Sequence, residues 1–332
     1  MIIAAAAPSS AQQSTRALAD SPTIRLGYFA NITHAQALLG FGEHLFARDL
    51  PGVTVNGTTF NAGPDEMNAI FAGAIDIGYI GPGPAINGFV RSHGAVVIVA
   101  GAAGGGTLLV ARSAAHITSV KDLGGKTVSV PQLGNTQDIL LRQLLHDNNL
   151  KAADHGGSVR IVAVQNADTL TLFQKGSLDA AIVPEPWGSR LLATSGTSLV
   201  LDWNQIYGGT APATVVVASA SFAKDHANLI VQFLRAHRKL TEQLQETRAQ
   251  GDGGATATLL NAQIKSLTGA SLAPTVLAEA LARTTFTTTI DQPSLSQFLA
   301  FSTTAGYLRA GSSLAGLVDT WPLAHINDSS IH

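Results

Sequence analysis

The chain has no cysteine among its 332 residues, which excludes disulfides, thiolate zinc sites, iron–sulfur clusters and cysteine nucleophiles. It is also short of charge: Asp, Glu, Lys and Arg make up 13% of it, against about 25% in an average globular chain. The 20 basic and 22 acidic residues leave a net charge of -2. No global basic field is therefore available to draw nucleic acid or an anionic membrane, and any anion must be recognised locally. Long apolar runs are nearly missing too. Residues 94–111, between Arg91 and Arg112, are uncharged and long enough to span a bilayer, but glycines at 94, 101, 104, 105 and 106 interrupt them. Two buried strands around a glycine loop are expected there. What is present is small and apolar, with 45% hydrophobic residues and 33 glycines, in a length that suits about two domains.

At the amino end, residues 2–7 form a short apolar run followed by Pro8 and Ser9-Ser10-Ala11. Small residues there suit a signal-peptidase cut, although no basic residue precedes the run, so residues 1–22 are expected to be a trimmed signal remnant or a disordered tail.

Further on, strands and helices alternate. Strands are predicted over residues 24–29, 54–60, 75–80, 107–111, 126–130, 159–164, 178–183 and 213–218. Helices are predicted over 34–48, from Gly63 to Gly73, to about Asn148 after the Asn135 cap, over 170–176, over 226–247, and in the stretches 259–267, 274–282 and 294–308. Thr33 with Gln36 carries a capping-box signature, and the acidic pair Asp65-Glu66 stands in a helix first turn, where the helix dipole alone explains it. Two units look alike. Phe71-Ala72-Gly73-Ala74-Ile75-Asp76 and Phe173-Gln174-Lys175-Gly176-Ser177-Leu178-Asp179 each end a helix, begin a strand and lead to a proline, at Pro82 and Pro184. Two topologically related α/β lobes with mainly parallel sheets are expected.

In open α/β sheets, ligands bind beyond the carboxyl ends of strands, where helix N-termini offer unpaired N–H groups. Asn31-Ile32-Thr33-His34, Gly81-Pro82-Gly83, Gly104-Gly105-Gly106-Thr107, Gly134-Asn135-Thr136-Gln137 and Asn166 all fall at such turns. These are small or neutral hydrogen-bonding residues, able to hold a small anion without lysine or arginine and to release it again. Each also has a plainer reading. Thr33 and Asn135 could simply cap helices, the glycines could simply form turns, Glu185 could pair with an arginine such as Arg190, and Trp187 could be core. Enzyme signatures fail. Gly125-Lys126-Thr127 lacks the earlier P-loop glycine, where Val120 stands instead, and neither Gly-x-Ser-x-Gly nor His-Glu-x-x-His occurs. The ten histidines are scattered, so no metal site is expected, and no cofactor.

Four segments together carry a family likeness: Gly27-Tyr28-Phe29 through Asn31-Ile32-Thr33-His34-Ala35; Asp76-Ile77-Gly78-Tyr79-Ile80-Gly81-Pro82-Gly83-Pro84-Ala85; Pro131-Gln132-Leu133-Gly134-Asn135-Thr136-Gln137-Asp138; and Val183-Pro184-Glu185-Pro186-Trp187. In order and spacing, over about residues 23–245, the chain resembles the aliphatic-sulfonate, taurine and nitrate group of solute-binding proteins of ABC importers. The Asn-Ile-Thr-His and Gly-Asn-Thr-Gln-Asp versions look most like the sulfonate branch. The resemblance implies an α/β periplasmic-binding-protein-like fold of type II, with two lobes joined by crossover strands near 107–111 and 213–218. Lobe 1 would be residues 23–108 with 217–320, lobe 2 residues 109–216, and 321–332 a tail. It implies a non-catalytic, monomeric periplasmic binder that delivers its ligand to an ABC permease and its ATPase; the missing basic n-region and lipobox cysteine depart from the family's pattern, leave anchoring open and favour a free periplasmic protein. By the same resemblance, Asn31, Thr33 and His34 from one lobe and Gly134, Asn135, Thr136 and Gln137 from the other would meet the sulfonate. Gly81, Pro82, Thr107 and Thr210 would line the cleft, Trp187 would cover the organic tail and Glu185 would receive an amine. The alternatives are a binder of nitrate, taurine or another small oxyanion, and a pyrimidine-precursor binder or enzyme of the same fold. The related desulfinases and precursor synthases resemble enzymes that need a cysteine, which this chain lacks.

Overall fold

A computed structural model describes residues 22–208, 211–250 and 254–331. The expected signal remnant therefore lies almost wholly outside the described residues. The first sheet contains β1 (Thr23–Tyr28), β2 (Thr54–Thr59), β3 (Ile77–Ile80), β4 (Val96–Gly105), β10 (Pro212–Ser219) and β11 (Thr284–Phe286), in the order β11-β4-β10-β3-β1-β2. The second contains β5 (Thr107–Arg112), β6 (Thr127–Val130), β7 (Arg160–Ala163), β8 (Ala180–Pro184) and β9 (Thr197–Leu201), in the order β7-β6-β8-β5-β9. β1 runs parallel to β2 and β3, and β6 parallel to β7 and β8, whereas β10 and β5 run antiparallel to their neighbours.

The chain leaves the first sheet at Gly106 and returns between β9 and β10. At the exit, Gly105 (φ 75°) and Gly106 (φ 65°) take backbone angles that favour glycine. Space is short there as well. A Cβ on Gly105 would stand 2.6 Å from the Arg283 carbonyl oxygen, and one on Gly106 2.9 Å from Thr284 Oγ1. The return differs from expectation: β10 pairs with β3 and β4 from Pro212 to Ser219, so it belongs to the first sheet and does not bridge the two. By strand membership the change of sheet falls before Pro212, not at 216/217.

The uncharged stretch 94–111 forms most of β4 and β5 around Gly106, and no helix among the described residues is long and apolar enough to cross a membrane. Side chains alternate along these strands. Val216 and Ala218 of β10 enter one core, while Val215 and Val217 enter a second core that also takes Leu109 and Ala111 of β5; Leu108 and Val110 of β5 enter a third. This period of two buries both faces of each sheet and joins the sheets through the shared middle core.

The helices that place or support the cleft residues are α1 (Ala35–Phe41), α2 (Gly63–Phe71), α3 (Pro82–Arg91), α4 (Thr136–Asp147), α5 (Asn166–Gln174), α6 (Trp187–Leu192), α7 (Trp203–Ile206) and α8 (Ala227–Gln250). The predicted helix over 34–48 is broken after Phe41 by one short 3-10 turn, Gly42–His44, and resumes over Leu45–Asp49. Its capping box does not form, because Gln36 is buried and gives its amide to the Ala102 carbonyl (2.7 Å) and Thr241 Oγ1 (3.2 Å). The two look-alike units share a mechanism. Asp76 accepts from the Arg25 N–H of β1 (2.8 Å), Asp179 accepts from the Thr127 N–H of β6 (2.8 Å), and each pairs with an arginine, Arg25 and Arg112 respectively. Each aspartate thus ties the start of a neighbouring parallel strand.

Glu66 departs from the dipole explanation. Its side chain is fully buried against Gly27 of β1 and Gly78 of β3, where a Cβ would stand 2.2 Å and 2.3 Å from Oε1. Neither carboxyl oxygen has a hydrogen-bond partner among the described residues, and burial holds the carboxyl well above its usual range. In the unfolded chain this group ionises near 4.5, so stability falls as pH rises above that value until the folded group ionises as well. Glu66→Gln removes this loss: in melts from pH 5 to 8 its advantage over the parent grows with pH, by at most about 1.4 kcal/mol per unit.

Candidate functional site

β1 delivers the chain to a buried 3-10 turn, Ile32–His34, preceded by Asn31. The Ile32 N–H donates to the Glu185 carbonyl (3.0 Å), joining the first sheet's turn to the end of β8. His34 Nδ1 accepts from the Phe29 N–H (3.3 Å), which leaves the ring proton on Nε2 as a donor. Burial pushes the imidazole down to about 3, so it is neutral throughout the physiological range. An anion held here meets a neutral donor. Affinity for an anionic ligand is therefore expected to change by less than about twofold between pH 5 and 8; a gain of about tenfold per unit on acidification would mean that His34 binds as a cation.

The second sheet contributes the N-terminus of α4. Asn135 caps it, its Oδ1 accepting from the Asp138 N–H (2.9 Å), as the sequence predicts. Asn135 Nδ2 donates to Gln137 Oε1 (3.1 Å), and Gln137 Nε2 donates to Thr107 Oγ1 (3.1 Å), so three of the predicted residues hold one another. Thr136 faces the first sheet, where the Gly83 N–H reaches its hydroxyl at 3.4 Å. A Cβ on Gly81 would stand 2.1 Å from Thr136 Oγ1, and one on Gly83 2.6 Å from Ile139 Cδ1. These glycines let the two sides touch.

Phe29, Asn31, Thr33, His34, Gly81, Asn135, Thr136 and Gln137 line one cavity of about 20 Å³, room for about one water. Asn61, Pro131 and Asn166 complete its rim among others, and no Lys, Arg, Asp or Glu lines it among the described residues. Asn61 was not among the expected site residues; it donates to the Pro131 carbonyl (3.0 Å), another link between the two sides. Asn166 stands among the loop candidates and is buried at the start of α5, its Oδ1 lacking a partner among the described residues.

Several expected residues stand elsewhere. Trp187 does not line the cavity: it packs with Leu108, Val110 and Leu191 on the second sheet and donates its indole N–H to Asn31 Oδ1 (2.8 Å). That bond orients Asn31 and leaves its amide nitrogen as the donor toward the cavity. Glu185 is buried and turned away, its carboxylate accepting from the Ser189 N–H (3.0 Å) and hydroxyl (2.7 Å), with Arg283 at 3.8 Å. Its neighbour is thus Arg283, not Arg190, and it is closed to a ligand's amine. Burial raises this carboxyl to about 7. Gly134 gives its N–H to Asp138 Oδ2 (2.7 Å), and Pro82 opens α3 behind Pro84, so neither reaches the cavity. Thr107 lines an adjoining apolar space. Thr210 lies outside the described residues.

Residues 17–258 match the model of the NMT1-like family. A putative binding protein of Brucella abortus is 29% identical over 166 residues, covering 50% of this chain and 49% of that protein. The taurine-binding periplasmic protein of Escherichia coli is 27% identical over 197 residues, covering 58% of each. The chain thus spans about half the length of the curated relatives it matches. The alkanesulfonate-binding protein of Xanthomonas axonopodis pv. citri, solved bound to MOPS, superposes with a TM-score of 0.74 at 19% identity, over 90% of this chain and 98% of that one. At this identity the likeness establishes the periplasmic-binding-protein fold.

Proposed function

Because the chain belongs to the NMT1-like family, we propose that it is the non-catalytic, periplasmic substrate-binding component of an ABC importer. It captures an alkanesulfonate between the two sheets and hands it to a membrane permease and its ATPase. The observation that carries this reading is the cavity itself, which opposes Asn31, Thr33 and His34 on one side to Asn135, Thr136 and Gln137 on the other without a charged side chain among the described residues. Neutral donors suit a sulfonate, whose negative charge is spread over three oxygens, and a ligand touching both sides favours their approach. Names of relatives that bind taurine and alkanesulfonates point the same way. A binding role is also what a chain without cysteine allows on this fold.

The cavity volume of about 20 Å³ supports a second reading, a smaller oxyanion such as nitrate. A thermal-shift screen with alkanesulfonates of increasing length, taurine, nitrate, sulfate and a pyrimidine separates them. A ligand at 100 times its Kd adds about 2.7 kcal/mol of stability. A rise with alkanesulfonates and none with nitrate is expected; a rise with nitrate or the pyrimidine alone would keep the fold and overturn the sulfonate.

A further inference from the structure

The polar cavity has a neighbour. Thr136 and Ala213 line both it and a second space of about 20 Å³, whose other walls include Leu140, Trp203, Ile206 and Phe298. Two hydroxyls around this second space are already engaged: Thr107 Oγ1 accepts from Gln137, and the Tyr207 hydroxyl donates to the Ser294 carbonyl (3.1 Å). Tyr207 stacks on Phe298, with ring centroids 5.1 Å apart and 17° between planes. Trp203 lies over Gly105, where a Cβ would stand 3.1 Å from the indole. Trp203 and Ile206 belong to α7, the short helix that follows β9 on the return to the first sheet. No carboxylate lines either space among the described residues.

Building on the sulfonate reading above, we propose that this second space receives the carbon tail of the ligand, and that Trp203 and Ile206 of α7, not Trp187, set which tails are accepted. A sulfonate has one strongly polar end and one apolar end, and the two adjoining spaces divide in the same way, polar donors on one side of Thr136 and hydrocarbon on the other. Short, unbranched tails fit the small volume, because each methylene that enters gains about fourfold in affinity until the wall must move. A terminal ammonium would be buried there with no carboxylate among the described residues to pair with. Ethanesulfonate is therefore preferred over taurine, although the two differ only by the amine.

The test is calorimetric titration of the full chain, of Trp203→Ala and of Ile206→Ala with methanesulfonate, ethanesulfonate, butanesulfonate and taurine. Both side chains are partly exposed, and thermal melts of the two variants report whether each is folded. The expected result is ethanesulfonate at least about tenfold tighter than taurine on the parent chain. In both variants ethanesulfonate loses more affinity than methanesulfonate, and the preferred tail shifts toward butanesulfonate. An unchanged tail preference in both folded variants, or taurine as the tighter ligand, overturns the tail assignment and leaves the sulfonate reading standing. If no sulfonate binds the parent chain, the sulfonate reading falls and the tail assignment with it.

Discussion

Gly81→Val leaves the chain folded and weakens ligand binding by about 10- to 100-fold, the equivalent of about 1–3 kcal/mol of overpacking. The backbone at Gly81 is extended (φ -67°, ψ 151°), a conformation open to any residue, so the substitution adds no strain of its own. What it adds is a Cβ aimed across the cleft, 2.1 Å from Thr136 Oγ1 and 3.1 Å from the Thr136 Cβ. Gly81 follows β3 of the first sheet and Thr136 opens α4 on the second, so the clash opposes the approach of the two sides. Gly81→Ala gives a smaller loss of the same kind. Adding Thr136→Ala to it removes the closest contact and recovers part of the affinity, less the hydroxyl's own hydrogen bond. Calorimetry on the two single variants and the double variant isolates this coupling. Additive losses, with no recovery, would show that Gly81 and Thr136 do not meet in the bound state.

Asp138→Ala costs about 3–5 kcal/mol of stability. The Asp138 carboxylate is fully buried and accepts from the Gly134 N–H (2.7 Å), Arg142 Nε (3.0 Å) and the Tyr307 hydroxyl. Its removal leaves the buried Arg142 guanidinium with Asp154 alone, a carboxylate about half exposed, at 2.8 Å and 3.1 Å. It also frees the Gly134 N–H and so loosens the loop that presents Asn135, Thr136 and Gln137. Denaturant unfolding of Asp138→Ala, with Asp138→Asn as the milder comparison, measures the cost. A midpoint equal to that of the parent would mean that the Asp138–Arg142 pair contributes nothing to the fold.

Much of the architecture was legible because its signals are local. Strand β6, the Asn135 cap and the helix after it follow from neighbouring residues alone, and the paired Gly-x-[Ile/Leu]-Asp units mark a recurring tie between parallel strands. That Asn31, Thr33, His34 and Asn135 through Gln137 line one cavity was legible for the same reason, since they stand at strand-to-helix turns. What failed depends on distant partners. Gln36 reads as half of a capping box, yet its amide is claimed by Ala102 and Thr241. Glu185 reads as a partner for an arginine, and by the resemblance as a receiver of an amine, yet the arginine it meets is Arg283, far along the chain, and Ser189 occupies its carboxylate as well. Trp187 reads equally as core or as a cleft wall, and the first turn of α6 decides for the core of the second sheet. Strand β11 is only three residues long and finds its place by pairing with β4, which no local pattern announces. Gly81 and Gly83 read as turn formers, whereas the space they leave is filled from the other side of the cleft.

On the function proposed above, the neutral cavity between the two sheets holds a sulfonate. Isothermal titration of the purified chain with ethanesulfonate, repeated with nitrate, tests it most directly. Saturable one-to-one binding of ethanesulfonate is expected, with affinity that holds between pH 5 and 8 and falls in Gly81→Val. Heats that never saturate with the sulfonate while nitrate binds one-to-one, or sulfonate binding that Gly81→Val leaves untouched, would contradict it.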